Sequence, residues 1–286
     1  MQIVEIVYRY DGENPQVRSR PATTEAALLR LQEGNRAFAE LLNNVKDGEG
    51  SVRHVIDVDA RDFGLLPGAD AAPSQRPFAA ILGCSDARVP LELIFNEGPN
   101  DLFVVRAAGN GVGSDALGSL RYAIDHLGSL RLIVVLGHSG CGAVSAAVDV
   151  FLNPADYLSL ATVHSLRGIL DRLLVVVQAS ARKLVSAFGA DVVLRPGYRS
   201  ALVEAAIITN AAWSAYEIQQ AFAADGHSRV QVAYGVYLLK SRDVWTPQMD
   251  ERSGTRLASP PKDAAGFGQL GDAVVRSARI ADLLIA

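Results

Sequence analysis

Short apolar segments alternate with stretches of helical periodicity through the middle of the chain. The apolar runs lie at residues 78–82, 102–105, 132–136 and 230–237, and the helical patterns lie at 90–95, 116–127, 142–151, 157–188 and 200–224. Continuous apolar runs of about four to eight residues are typical of strands that are buried on both faces. The alternation therefore predicts an α/β fold in which a mainly parallel central β-sheet is flanked by helices.

The two ends of the chain depart from this alternation. Near the N-terminus, residues 3–10 have the pattern of a short strand, and a helical arm is predicted to begin at Thr24. Residues 43–76 are polar and rich in Gly and Pro, so we predict a loop there. Near the C-terminus, residues 246–268 have the composition of a linker, and residues 270–285 form an amphipathic helical pattern suited to docking, for example onto another subunit. We expect three parts: an N-terminal extension (1–26), a central domain (27–245) and a C-terminal extension made of a linker and a helical tail (246–286).

The composition is that of a soluble globular protein. Of the 286 residues, 49% are hydrophobic and 20% are charged, and 27 Lys+Arg against 31 Asp+Glu give a net charge of −4. A mildly acidic chain has no electrostatic attraction for nucleic acid or for an anionic membrane. The sequence also has no apolar run near the ~18–20 residues of a membrane helix and no recognisable secretion signal. We therefore expect a cytoplasmic protein with no nucleic-acid and no membrane partner.

Both cysteines of the chain follow predicted strands. Cys84 comes just after the run at 78–82, and Cys141 lies three residues after His138, beyond the run at 132–136. Because the carboxyl ends of parallel strands meet at one edge of a sheet, we expect these three side chains to lie together. Two thiolates and an imidazole suit a borderline-soft divalent ion, and three protein ligands leave the open position that catalytic zinc requires. A single cysteine at a strand end is more often a small buried residue, so the prediction depends on the three together.

Asp86 and Arg88 directly follow the first of these cysteines. They fit a helix cap and a surface charge, and they also fit a carboxylate–arginine pair beside a metal. In the second interpretation the carboxylate accepts a hydrogen bond from a metal-bound water, and the arginine holds the carboxylate in place. That support matters because two thiolates reduce the Lewis acidity of a zinc ion.

Further short motifs accompany the metal-binding pattern. They are Gly34-Asn35-x-x-Phe38, Gln75-Arg76-Pro77, residues 101–106, Ala108-Gly109-Asn110, residues 118–123 and Gly235-Val236-Tyr237. Together with residues 84–89 and 138–142, they resemble the motifs of the β-class carbonic anhydrases over roughly residues 27–245. Two positions depart from the family pattern, because Ala87 replaces the commoner serine and Ala107 replaces the usual asparagine.

The resemblance implies that residues 27–245 form a catalytic domain for the reversible hydration of CO₂ to bicarbonate and a proton by a zinc-bound hydroxide. The implied zinc ligands are Cys84, His138 and Cys141, the implied catalytic pair is Asp86 and Arg88, and the implied substrate-binding residues are Gln75, Phe103, Ala108 and Tyr122. The family also implies a dimer or higher oligomer with active sites at the subunit interface. Ile81 replaces the tryptophan of a family subset in which the aspartate closes onto the metal, so we expect Asp86 to pair with Arg88.

Four other interpretations compete with this one. Residues 111–116 fit the G-x-G-x-x-A pattern of dinucleotide-binding proteins, but the next strand ends without an acidic residue for a ribose. Residues 137–141 resemble a serine nucleophile elbow, except that the fifth position is cysteine. Hydrolases of COS or CS₂ share the same ligand pattern and stay open as an alternative. A non-catalytic zinc-binding scaffold is the last alternative, although it would have no need of Gln75, Asp86 and Arg88.

Overall fold

The computed structural model describes residues 2–11, 19–41, 50–64, 72–158, 162–224, 230–247 and 257–285. This part of the chain contains seven strands and eight α-helices. The strands are β1 (Gln2–Arg9), β2 (Gly50–Asp57), β3 (Ala79–Gly83), β4 (Leu102–Arg106), β5 (Leu132–His138), β6 (Gln231–Tyr237) and β7 (Val244–Trp245). The helices are α1 (Thr24–Ala39), α2 (Leu91–Ile94), α3 (Ser114–His126), α4 (Gly142–Leu152), α5 (His164–Phe188), α6 (Tyr198–Ala224), α7 (Ala264–Arg276) and α8 (Ala278–Ile285).

The central sheet has the strand order β4-β3-β5-β6-β7. The first four strands are parallel, and the two-residue strand β7 pairs antiparallel with β6. All residues of β3 and β5 are buried, as expected for continuous apolar strands in a sheet that is covered on both sides. The predicted α/β fold with a mainly parallel sheet is confirmed.

Two hydrophobic layers cover the sheet. On one face, α1 and α2 pack against alternate residues of the strands, such as Ile81 and Val134. On the other face, α3 to α8 form the larger layer against residues such as Leu82 and Val135. Because successive strand residues point to opposite faces, each strand contributes to both layers.

Helix α1, the predicted helical arm, is fastened to the sheet domain by two adjacent residues. A side chain at Gly34 would place its Cβ 1.9 Å from the carbonyl oxygen of Phe95, so only glycine permits this approach. The buried amide of Asn35 donates to the carbonyl oxygens of Ile94 and Arg242, and its oxygen accepts from the Val244 N–H. The Gly-Asn motif therefore joins α1 to both α2 and β7.

The predicted loop over residues 43–76 is wrong in part. Strand β2 lies within it and pairs in parallel with β1, and a 3₁₀ turn follows at Ala60–Phe63. The sequence pattern of β2 is weak because the two-stranded ribbon is largely exposed, so polar residues such as Arg53 and His54 are tolerated within it. Residues 43–49 and 65–71 of the predicted loop lie outside the described residues.

The C-terminal segment docks onto its own chain. Two helices, α7 and α8, stand in place of the single amphipathic helix expected over residues 270–285, and they pack against α5 and α6. The expected linker over 246–268 also ends early, because Ala258 pairs with Tyr234 of β6 and α7 begins at Ala264. Residues 248–256 of that linker lie outside the described residues. Across the described ranges, every helix is too short or too polar to cross a membrane.

Candidate metal centre

Three side chains meet at the carboxyl edge of the sheet. Cys84 follows β3, His138 is the last residue of β5, and Cys141 precedes the first turn of α4. Because β3 and β5 are parallel neighbours in register, both strands deliver their final residues to the same edge. The two sulfurs and a ring nitrogen of His138 all lie within 4.8 Å of one another, and all three residues are buried. The sequence-based expectation that these residues lie together is confirmed.

The geometry of the cluster fits a tetrahedral metal ion. The sulfurs of Cys84 and Cys141 are 4.0 Å apart, close to the separation of about 3.8 Å that two zinc–sulfur bonds would impose. The Nδ1 of His138 lies 3.1 Å from the carbonyl oxygen of Ser139, which leaves Nε2 as the donor atom for a metal. That Nε2 atom is buried and has no hydrogen-bond partner in the described part of the chain. A bound cation would satisfy it.

The two thiols interact strongly with each other. The hydrogen bond from the Cys141 thiol lowers the pKa of Cys84, and the same contact together with burial raises the pKa of Cys141. A divalent cation bound by both sulfurs would displace the proton that they share and allow both of them to be charged. The donor set is thus suited to a thiolate-binding divalent ion.

Asp86 and Arg88 form an ion pair at the rim of this cluster. The carboxylate accepts from Arg88 Nε at 2.9 Å and from Nη2 at 2.6 Å, and it also accepts from the Arg88 backbone N–H. These bonds, together with the positive charge, lower the pKa of Asp86. The carboxylate oxygen Oδ2 lies 3.8 Å from His138 Nε2, so it faces the metal-binding atoms. The expected Asp86–Arg88 pairing is present.

The loops that carry the candidate ligands are held by hydrogen bonds from neighbouring strands. Arg106, at the end of β4, donates to the carbonyl oxygens of Cys84 and Asp86. The Ser139 N–H donates to the Tyr237 carbonyl at the end of β6, and the Ser139 hydroxyl accepts from the Leu239 N–H. The sheet therefore positions both ligand loops through backbone groups.

The implied substrate-binding residues divide into two groups. Ala108 lies next to Gly109, whose N–H points to the Cys84 sulfur, so Ala108 borders the metal centre. Gln75 and Phe103 line a separate cavity of about 290 Å³ near the amino end of β3, and Tyr122 is 48% exposed with its ring 6.5 Å from that of Phe103. The five residues of β3 span about 16 Å at a rise of ~3.3 Å each, so this second group lies far from Cys84 in the same chain.

Two polar residues of α6 contact the site but were not predicted. The buried Asn210 donates to the carbonyl oxygen of Gly109, and Glu204 accepts a long hydrogen bond of 3.4 Å from the Gly140 N–H. Both belong to a long, mostly apolar helix that is remote in sequence from the ligands. Their roles depend on tertiary contacts, and no local motif marks them.

The solved structures that resemble this chain include β-carbonic anhydrases. The Coccomyxa β-carbonic anhydrase in complex with acetazolamide is 22% identical, with a TM-score of 0.47, and the match covers 74% of this chain and 86% of that one. The β-carbonic anhydrase CcaA is 23% identical, with a TM-score of 0.46, and the match covers 65% of this chain and 85% of that one.

Sequence relatives give the family. Carbonic anhydrase 2 of Mycobacterium tuberculosis is 52% identical over 123 residues, which are 43% of this chain and 52% of that protein. The carbonic anhydrase of Mycolicibacterium smegmatis is 46% identical over 86 residues, covering 30% of this chain and 41% of the relative. The chain thus spans about half the length of the curated relatives that it matches. The family model described as carbonic anhydrase matches residues 79–241, more than half of the chain. The chain therefore belongs to the β-class carbonic anhydrase family.

Proposed function

We propose that this protein catalyses the reversible hydration of CO₂ to bicarbonate and a proton, at a zinc ion held by Cys84, His138 and Cys141. The observation that carries the proposal is the convergence of these three ligand atoms within 4.8 Å, beside the formed pair of Asp86 and Arg88. The relatives named carbonic anhydrase support it. The formed ion pair argues against a scaffold that only binds a metal.

The proposed roles follow from the chemistry of each group. A zinc ion bound there would act as a Lewis acid that makes a water molecule nucleophilic at neutral pH. The Asp86 carboxylate accepts a hydrogen bond from the attacking water and directs the oxygen lone pair toward the carbon of CO₂. Arg88 keeps the carboxylate ionised and fixes its orientation through two hydrogen bonds. Both thiols must stay reduced to bind the metal. The reducing cytoplasm, which we propose as the location of the protein, would keep them so.

The substrate pocket is proposed to form between two copies of the chain. CO₂ is apolar, so it needs an apolar wall, and an amide donor such as Gln75 would polarise one of its oxygens. Within one chain, Gln75, Phe103 and Tyr122 lie at the end of the sheet away from Cys84. A second copy would bring its own three residues to the metal centre, where Ala108 contributes the remaining wall.

The edge of the sheet supports this arrangement. Strand β4 forms one edge of the central sheet, and its four apolar residues are only half-buried, whereas β3 and β5 are fully buried. An apolar edge strand left open is a site for association. We propose that a partner subunit covers it in a homodimer or a larger homo-oligomer.

Stopped-flow measurement of CO₂ hydration, combined with metal analysis of the same sample, tests the activity. We expect one zinc per chain and rapid hydration, and the loss of both in Cys141→Ala. The same preparation assayed with COS separates CO₂ hydration from the hydrolase alternative. A zinc-loaded, folded protein without hydration activity would refute the proposal, and so would full zinc retention by Cys141→Ala.

Mixing two inactive variants tests the shared site. A mixed dimer of Cys141→Ala and Gln75→Ala has one site with both defects and one complete site, if the partner's Gln75 completes the pocket. Random exchange makes half of the dimers mixed, so activity should return to about a quarter of the wild-type value. Mixed dimers can be isolated with a different affinity tag on each variant. If these dimers are as inactive as the two parent variants, each chain builds its pocket alone.

A further inference from the structure

Gly109 places a backbone N–H against one of the two sulfurs of the metal centre. Its nitrogen lies 3.4 Å from the Cys84 sulfur, and the contact is buried. The residue has φ +63° and ψ 25°, a left-handed conformation that glycine adopts far more readily than other residues. A Cβ at this position would also lie 3.3 Å from the Cβ of Ala143. Glycine is therefore strongly favoured at the position from which this N–H reaches the sulfur.

Asn210 holds the opposite side of the same peptide region. Its side-chain amide donates to the carbonyl oxygen of Gly109 at 2.8 Å, and the side chain is 5% exposed. A short hydrogen bond to a carbonyl limits rotation of the adjoining backbone. The resulting chain of contacts runs from α6 through Gly109 to Cys84, although Asn210 itself touches no metal ligand.

We propose that Asn210 is a positioning residue that keeps the Gly109 N–H directed at the Cys84 sulfur and thereby strengthens the bound metal as a Lewis acid. The inference rests on the proposed metal-dependent function. A hydrogen bond to a metal-bound thiolate draws electron density away from the sulfur, so the sulfur donates less charge to the metal. This effect matters most where two thiolates already offset the charge of the ion.

Substitution of Asn210 by leucine removes the donor and keeps a similar volume. The readout is the sulfur-to-metal charge-transfer band of the cobalt(II)-substituted protein. Losing the hydrogen bond raises the energy of the sulfur lone pairs, so the band should move to longer wavelength in Asn210→Leu. With zinc, kcat for CO₂ should fall about 10–100-fold with little change in KM. In Asn210→Ala, water can enter the adjoining cavity of about 320 Å³ and donate in place of the amide, so its effects should be smaller.

Thr209→Val is the matched control. Thr209 is the preceding residue of the same helix, and its hydroxyl bonds to Ala205 and Ser180 without reaching the metal loops. This variant should keep the wild-type cobalt band even if it lowers stability. A wild-type band and wild-type kcat in folded Asn210→Leu would overturn the proposal.

A measurement on the unmodified sequence keeps the proposal testable if the variants fail to fold. In protein loaded with cadmium-113, a hydrogen bond from Gly109 to a cadmium-bound sulfur should give its amide proton a scalar coupling to the metal. No coupling at Gly109 would overturn the proposal. The two proposals can also fail separately. If the wild-type protein lacks CO₂ hydration and the cobalt band still shifts in Asn210→Leu, the positioning role is upheld and only the proposed function is refuted.

Discussion

Replacing Asp86 by asparagine should separate the proposed catalysis from the proposed metal binding. The carboxylate uses both oxygens, because Oδ1 accepts from the Arg88 N–H and Nε, whereas Oδ2 accepts from Nη2 and faces His138. An amide at this position has one acceptor oxygen and one NH₂ group, so either the Arg88 contact or the contact with the attacking water must be lost. Asp86 is not a ligand in the proposed site, so zinc content should stay unchanged.

The expected size of the effect follows from the hydrogen bond that is removed. A hydrogen bond to a charged group contributes about 1.5–3 kcal/mol. At about 1.4 kcal/mol per factor of ten, kcat for CO₂ hydration should fall roughly 10- to 150-fold. Because the Arg88 side chain is 60% exposed, the ion pair itself adds little stability, and the free energy of unfolding should change by less than about 1 kcal/mol.

The assay is stopped-flow hydration over a range of CO₂ concentrations, with zinc measured in the same samples. Asp149→Asn is the matched control, since Asp149 accepts from Arg199 Nε at 2.6 Å and from Nη2 at 2.8 Å on the exposed surface. It should keep the wild-type kcat. An unchanged kcat in Asp86→Asn at saturating CO₂ would refute the catalytic role and leave Asp86 as a residue that only caps the turn before Val89.

Three further variants test the stability that ion pairs contribute. Arg30→Leu should lower the free energy of unfolding by about 3–5 kcal/mol in urea denaturation, because it removes an ion-pair partner of Glu97, whose side chain is fully buried. Arg121→Ala breaks an exposed ion pair within a helix and should lower the free energy of unfolding by less than about 1 kcal/mol. An equal loss of stability in Arg30→Leu and Arg121→Ala would contradict the argument from burial. Arg279→Ala should lower the free energy of unfolding by about 1–3 kcal/mol, because the side chain of its partner Glu204 is only 15% exposed. A smaller loss would mean that apolar packing alone holds helix α8.

The central sheet and the cluster of candidate metal ligands were predictable because their signals are local. Buried parallel strands produce continuous apolar runs, and the chemistry of such folds collects where those runs end. Two such strand ends carry Cys84, His138 and Cys141. The strand prediction therefore placed the three residues at the same edge of the sheet. The pair of Asp86 and Arg88 was predictable for the same reason, because both residues closely follow Cys84 in the sequence.

Other features depend on contacts between distant segments. Strand β2 was missed because an exposed ribbon tolerates polar residues, and its partner β1 lies more than forty residues earlier, at Ile3↔Ser51 for example. The C-terminal amphipathic pattern correctly indicated docking, but an apolar helix face does not specify which surface it covers. The same limit applies to Asn210, whose role depends on the turn at Gly109.

The C-terminal segment shows how such contacts extend the site beyond the family match. The match ends at residue 241, yet Arg279 of α8 forms an ion pair with Glu204. The same carboxylate accepts from the Gly140 N–H, and the Gly140 carbonyl lies 3.5 Å from Arg88 Nη2. One carboxylate therefore connects the tail to the loop between His138 and Cys141, two of the proposed metal ligands. Because an ion pair at 15% and 28% exposure is only partly screened by solvent, it restrains Glu204 more firmly than a surface pair would. The tail is thus linked through Glu204 to the loop between His138 and Cys141, while its own residues stay outside the candidate metal centre.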